Sequence, residues 1–114
     1  APENLKLLML VIQDEDMLTE IMELFVEMDI RGTSVLRSEG MAGVLTRVPL
    51  FADFINFLGK RSEFHRTLFA PVPEDELDSL ISRIEDITGD MNKYVGATAV
   101  VFDVSLIKGN MESI

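Results

Sequence analysis

Few side chains in this sequence could do chemistry. His65 is the one histidine, with Glu63 two positions before it and Arg66 directly after. An imidazole titrates near neutrality, so His65 is the natural general acid–base if the chain is catalytic. There is no cysteine, which removes disulfides, thiol nucleophiles, thiolate metal sites and redox pairs. One histidine and no thiolate also argue against zinc, so no metal site is expected; only a carboxylate-bound Mg²⁺ or Ca²⁺ stays open in principle. The stronger chemical signal is cationic. Between residues 31 and 66 stand Arg31, Arg37, Arg47, Lys60, Arg61 and Arg66 against Glu39, Asp53 and Glu63. Guanidinium forks suit carboxylate and phosphate, so this basic middle fits either an anionic ligand or ion pairs with acids of a neighbouring subunit.

The rest of the chain is acidic. Asp14, Glu15, Asp16, Glu20, Glu23, Glu27 and Asp29 cluster in one segment with no base among them. Glu74, Asp75, Glu76, Asp78, Glu85, Asp86 and Asp90 cluster in another, against Arg83 alone. They bring the formal net charge to −10, the wrong sign for a protein that grips nucleic acid through phosphate contacts. Both acidic segments read as solvated outer surfaces that keep an assembly soluble. With 114 residues, 47% hydrophobic and 26% charged, the chain suits a single folded domain and is not disordered. The apolar run Leu7 to Ile12 is far short of the roughly 20 residues a membrane span needs. No basic, apolar leader precedes it, so the expected location is cytoplasmic.

Both acidic segments are amphipathic helices. Leu18, Ile21, Met22, Phe25 and Met28 form one stripe over a helix from about Glu15 to Asp29, with Asp14 placed to cap it. Leu77, Leu80, Ile81, Ile84 and Ile87 form the other over Glu74 to Thr88, with Pro73 at the first helical position and Gly89 ending it. Strands are expected at Leu5 to Ile12, Thr33 to Ser38, Phe64 to Ala70 and Ala97 to Val104. A shift of 59 positions lays one stripe on the other and carries Leu10 onto Phe69. Two matching β-α-β halves specify an α+β, ferredoxin-like βαββαβ sandwich, an antiparallel sheet with two helices on one face, as a single domain over residues 1–114. Both phases of the first strand, Leu7, Met9, Val11 and Leu8, Leu10, Ile12, are apolar. The helices cover one face, so the other predicts a homo-oligomer with sheets packed inward.

The connection from about 40 to 62 is long and apolar. Phe51, Phe54, Ile55 and Leu58 fall at helical spacing after Pro49, predicting a short amphipathic helix. Leu50, Phe51, Phe54, Phe57 and Leu58 read either as packing within the oligomer or as a docking element for a partner.

Element order, connection length and the run Met28-Asp29-Ile30-Arg31-Gly32-Thr33-Ser34-Val35-Leu36-Arg37-Ser38-Glu39-Gly40-Met41-Ala42-Gly43 resemble the nitrogen regulatory P-II proteins and their P-II-like relatives. In that family a helix passes through Gly to a Thr/Val-rich strand and a Gly-x-Gly entry to the long T-loop. The resemblance implies a non-catalytic trimer that senses an adenine nucleotide (ATP, ADP or AMP) between subunits. It signals through the loop to a target enzyme or membrane transporter. It also implies ligand contacts at Arg37 and Gly40, by the loop entry, and at Gly89 and Lys93, where the family's second phosphate loop falls. The chain departs from the family there. Thr88-Gly89 is followed by Asp90-Met91-Asn92-Lys93-Tyr94-Val95-Gly96, without the Gly-Asp-Gly-Lys sequence, and Gly89 also reads as a helix C-cap. Ala42 stands for a Gly, Lys108-Gly109 stand for a pair of arginines, and Tyr94 lies outside the loop whose Tyr some members modify. Three other readings of the same strand order stay beside this one. They are a small oligomeric isomerase or oxygenase using His65, an amino-acid-sensing regulatory domain, and an RNA binder displaying Phe69 and Phe102. Net charge weighs against the last.

Overall fold

The structure, a computed structural model, describes residues 4–51 and 64–110. In chain order it contains β1 (Leu5–Ile12), α1 (Glu15–Glu27), β2 (Ser34–Arg37), α2 (Met41–Leu45), a 3₁₀ turn at Pro49–Phe51, β3 (Arg66–Pro73), α3 (Glu74–Thr88) and β4 (Ala97–Asp103). The four strands form one antiparallel sheet in the order β2-β3-β1-β4, the ferredoxin-like arrangement.

The helices start and stop for local reasons. The Asp14 carboxylate accepts the Asp16 and Met17 N–H groups at 2.9 and 3.2 Å, capping α1 where its dipole is positive. At the other end Asp29 takes a left-handed conformation, φ 58°. The Asp29 N–H then donates to Val26 and the Ile30 N–H to Phe25, which closes the helix two residues earlier than its stripe suggested. Pro73 is the last residue of β3 and precedes the first turn of α3: its ψ of 135° is extended, not helical.

The core lies between the helices and one face of the sheet. Leu8, Leu10 and Ile12 of β1, Leu68, Ala70 and Val72 of β3, Ile21 and Phe25 of α1, and Leu80 and Ile84 of α3 are buried there. The helix repeat holds residue for residue: Ile21 and Phe25 match buried Leu80 and Ile84, and Leu18, Met22 and Met28 match half-buried Leu77, Ile81 and Ile87. The strand part of the repeat is out of phase. Leu10 is fully buried, but Phe69 points to the opposite face, and the buried partner of Leu10 across the sheet is Leu68. Two residues, Gln13 and Asp14, join β1 to α1, whereas β3 runs straight into α3. The helices match at a shift of 59, whereas the buried strand positions match at 60, Leu8 with Leu68, Leu10 with Ala70 and Ile12 with Val72.

Among the described residues no helix lies over the second face of the sheet. Leu7, Met9 and Val11 lie there beside Thr67, Phe69 and Pro71 of β3, Thr98, Val100 and Phe102 of β4, and Leu36 of β2. Val100 and Phe102 stay 38% and 43% exposed, so the described residues leave this apolar surface uncovered. The acids of α1 and α3 lie mostly on the opposite, outer side. A Lys6–Asp103 ion pair at 2.6 Å joins β1 to β4, and Arg83–Glu27 at 3.1 Å joins the two helices.

Where the long connection is described it holds α2, five residues beginning directly after Gly40, and a 3₁₀ turn at Pro49–Phe51. The helix expected from the spacing of Phe51, Phe54, Ile55 and Leu58 falls, beyond Phe51, outside the described residues. Phe54, Phe57 and Leu58 lie outside the described residues. Leu50 and Phe51 are exposed, as are Met41 and Val44.

Candidate functional site

The register brings the ends of all four strands together. Arg37 pairs with Arg66, Arg66 with Ile12, and Ile12 with Ala97. Arg37 and Gly40 therefore sit at the same end of the sheet as the loop that carries Gly89 and Lys93. They lie at the opposite edge, with β3 and β1 between, and three strand spacings amount to about 14 Å. Within one chain the two expected pairs do not meet.

A cleft of about 320 Å³ opens at that end, lined by Val11, Gln13, Thr98 and the loop from Met91 to Ala97, Lys93 and Tyr94 included. Val11 and Thr98 face each other across the β1–β4 pair on the uncovered side of the sheet, so the cleft opens onto that face. The Gln13 N–H donates to the Gly96 carbonyl at 2.8 Å, extending the ladder one residue past the strands. Gln13, Asn92, Tyr94 and Thr98 were not foreseen as lining residues. The signal for Gln13 was present, because it continues the alternation Leu7, Met9, Val11.

The loop is built around its own acceptors. The Glu85 carboxylate takes the Met91 N–H at 2.9 Å, and the Asp90 carboxylate takes the Asn92 N–H at 2.9 Å. The Asp90 carbonyl takes the N–H groups of Lys93 and Tyr94, and the Glu85 carbonyl that of Gly89. Gly89 lies at φ 77°, ψ −177°, a region reserved for glycine, and the Tyr94 ring packs on it. Gly89 thus serves as the helix C-cap and as the seat of Tyr94. Lys93 is exposed at the rim of the cleft.

The base of the long connection is a second polar cluster. Ser38 Oγ bonds His65 Nδ1 at 2.5 Å, and the Thr67 hydroxyl donates to Ser38 Oγ at 2.8 Å. Ser38 N–H donates to the His65 carbonyl at 3.3 Å, continuing the β2–β3 ladder. His65 therefore stands just before β3 rather than within it. Gly40 lets the imidazole approach: a Cβ there would lie 3.3 Å from His65 Cδ2. The Arg66 guanidinium lies 4.4 Å over the Phe64 ring and donates to the His65 carbonyl. Beyond Gly40, Arg47 grips Glu39 with both terminal nitrogens, the Nη2–Oε1 bond being 2.8 Å. The Arg47 hydrogen bonds hold the Glu39 carboxyl below the usual glutamate range. Arg37 is exposed on β2, and Lys108 lies on the irregular segment after β4.

Thr67 and Val11 are cross-strand neighbours on the uncovered face, so the Ser38–His65–Thr67 cluster and the cleft lie side by side at one end of it. Among the described residues no three His, Cys, Asp or Glu side chains converge as metal ligands. No described helix is long and apolar enough to cross a membrane.

Neither a family model nor a curated protein sequence matches the chain. Solved structures do. A functionally unknown protein from Pediococcus pentosaceus superposes with a TM-score of 0.60 at 14% identity, over 94% of this chain and 98% of that one. A PII-like signalling protein from Thermus thermophilus gives 0.56 at 16% identity, over 88% and 85%. Arabidopsis thaliana PII, solved with citrate, gives 0.59 at 14% identity, over 90% and 78%. The chain therefore has the ferredoxin-like fold that PII and PII-like proteins share, and the resemblance read from the sequence stands at the level of the fold.

Proposed function

We propose that this chain is a non-catalytic, PII-like regulatory protein that senses a small anionic ligand and reports it through the connection at about 40–62. The observation that carries this reading is the common placement of cleft and loop base. Gln13, Thr98 and Lys93 on one side, and Ser38, His65 and Gly40 on the other, share one end of one sheet face. A ligand seated there is positioned to bias the segment that begins at Gly40. The uncovered apolar face supports assembly of copies through their sheets, a homotrimer by resemblance to the PII proteins. The exposed Met41, Val44, Leu50 and Phe51 supply an apolar surface for a target enzyme or membrane transporter, with the cytoplasm as the setting.

General acid–base chemistry at His65 has less support. Its Nδ1 is engaged by Ser38, and the Ser38 hydroxyl is tied in turn to Thr67, an arrangement that holds two strand ends together. The test is amide hydrogen exchange over residues 38–51, with and without the adenine nucleotides and small carboxylates. Ligand-dependent protection of that segment supports the sensor reading. Saturable binding that leaves its exchange unchanged overturns it.

A further inference from the structure

The loop from Gly89 to Gly96 stands where the resemblance to the P-II proteins puts a phosphate loop, and five of its eight N–H groups are already in use. A cradle needs several backbone N–H groups pointing outward at the anion. Here those of Gly89, Met91, Asn92, Lys93 and Tyr94 all donate to Glu85 or Asp90, two of them to carboxylate oxygens. The chain has thus placed its own carboxylates on two of these N–H groups and its own carbonyls on the other three. Those carboxylates also repel a polyanion. Opening the loop to receive one would break the bonds to Glu85 and Asp90 and unseat Tyr94 from Gly89.

What stays available beside the loop is different. Among the described residues Lys93 is the one cation lining the cleft, and Gln13, Asn92 and Thr98 line it as neutral hydrogen-bonding groups. Val11 and Ala97 supply apolar wall. One cation balances one negative charge, and amides and a hydroxyl complete the bonding of a carboxylate's two oxygens. A cleft of about 320 Å³ stands at the small end of ligand sites. We infer that the cleft takes a compact monocarboxylate with a short apolar body, and that it does not take a nucleotide or other phosphate. This rests on the reading of the cleft as the ligand site, and narrows it to one chemical class.

The experiment is calorimetric titration of the full-length protein with acetate, lactate, pyruvate and 3-methylbutyrate in one arm. Inorganic phosphate, pyrophosphate, AMP, ADP and ATP, each with and without Mg²⁺, form the other. Saturable binding is expected for at least one of the three larger monocarboxylates, weakened about tenfold or more by Lys93→Gln and retained by Lys93→Arg. Lys93 is exposed, so neither change threatens folding. Saturable binding of a phosphate compound to the unaltered protein overturns the inference and leaves a sensor of another ligand standing. Carboxylate binding without any change in exchange at residues 38–51 sustains the inference and overturns the sensor reading. No saturable binding in either arm overturns the inference.

Discussion

The ring of Tyr94 fills the space where a side chain at Gly89 would begin: a Cβ there would meet Tyr94 Cδ2 at 2.9 Å. Position 89 is also held at φ 77°, ψ −177°, which L side chains avoid. Gly89→Ala therefore meets two obstacles and is expected to destabilise the fold by about 1–3 kcal/mol, read from the urea midpoint. Adding Tyr94→Ala removes the steric contact but not the backbone strain, so the double variant should recover only part of the loss. A Gly89→Ala protein as stable as the original would mean that the loop has another conformation.

A second prediction concerns the pair that closes the loop base. The Arg47 hydrogen bonds hold the folded-state pKa of Glu39 below its ordinary value. A depressed carboxylate pKa gives stabilisation that is complete above the unfolded value and is lost as pH falls through the lower, folded one. The Glu39–Arg47 contact should therefore persist through the range in which exposed glutamates protonate, and break only below it. Following the Glu39 carboxyl carbon by NMR checks this. Arg47→Ala should return its midpoint to the ordinary range, and raised salt should move it the same way because the pair is exposed.

His65 is predicted to be a strut. Replacing it by Phe keeps a ring against Gly40 but takes the Nδ1 partner from Ser38. The expected cost is about 0.5–1.5 kcal/mol, the worth of one hydrogen bond. Amide exchange should quicken from Ser38 through Thr46, where α2 starts from Gly40. Unchanged exchange in that segment would show that the imidazole does not hold the loop base.

These expectations differ in how far the sequence could have supplied them. The helix stripes were legible because a 3.6-residue period over four turns leaves little choice of face, and Ile21, Phe25, Leu80 and Ile84 are all buried as it requires. The phase of β3 was not legible. Its residues 67–73 are apolar or small in both phases, so only the pairing of Leu68 with Leu10 decides which side is core. Helix α2 escaped for another reason: Met41–Leu45 has no buried residue, hence no apolar stripe, and a five-residue helix produces no periodic signal. Of the four expected ligand residues, Lys93 lines the cleft, whereas Gly89 is taken up by Tyr94 and Arg37 and Gly40 stand at the far edge. Type and spacing located the loop; only the backbone hydrogen bonds showed which of its donors were already in use.

The last prediction bears on the uncovered face. Val100 pairs with Met9, and Met9 with Phe69, so Val100 stands in the middle strip of that surface. In an isolated chain it is 38% exposed, and Val100→Asp should leave the monomer folded. In an assembly packed through this face the same carboxylate is desolvated against Met9 and Phe69 with no cation among them, a cost of several kcal/mol per subunit. Light scattering at micromolar concentration should therefore give the mass of three chains for the original protein and of one chain for Val100→Asp. Val26→Asp is the matched control. Val26 is 70% exposed on α1, on the other layer of the sandwich, and the same charge there should leave the mass unchanged. A monomeric original protein would remove the assembly. An original and a Val100→Asp variant of equal oligomeric mass would move the interface to a different surface.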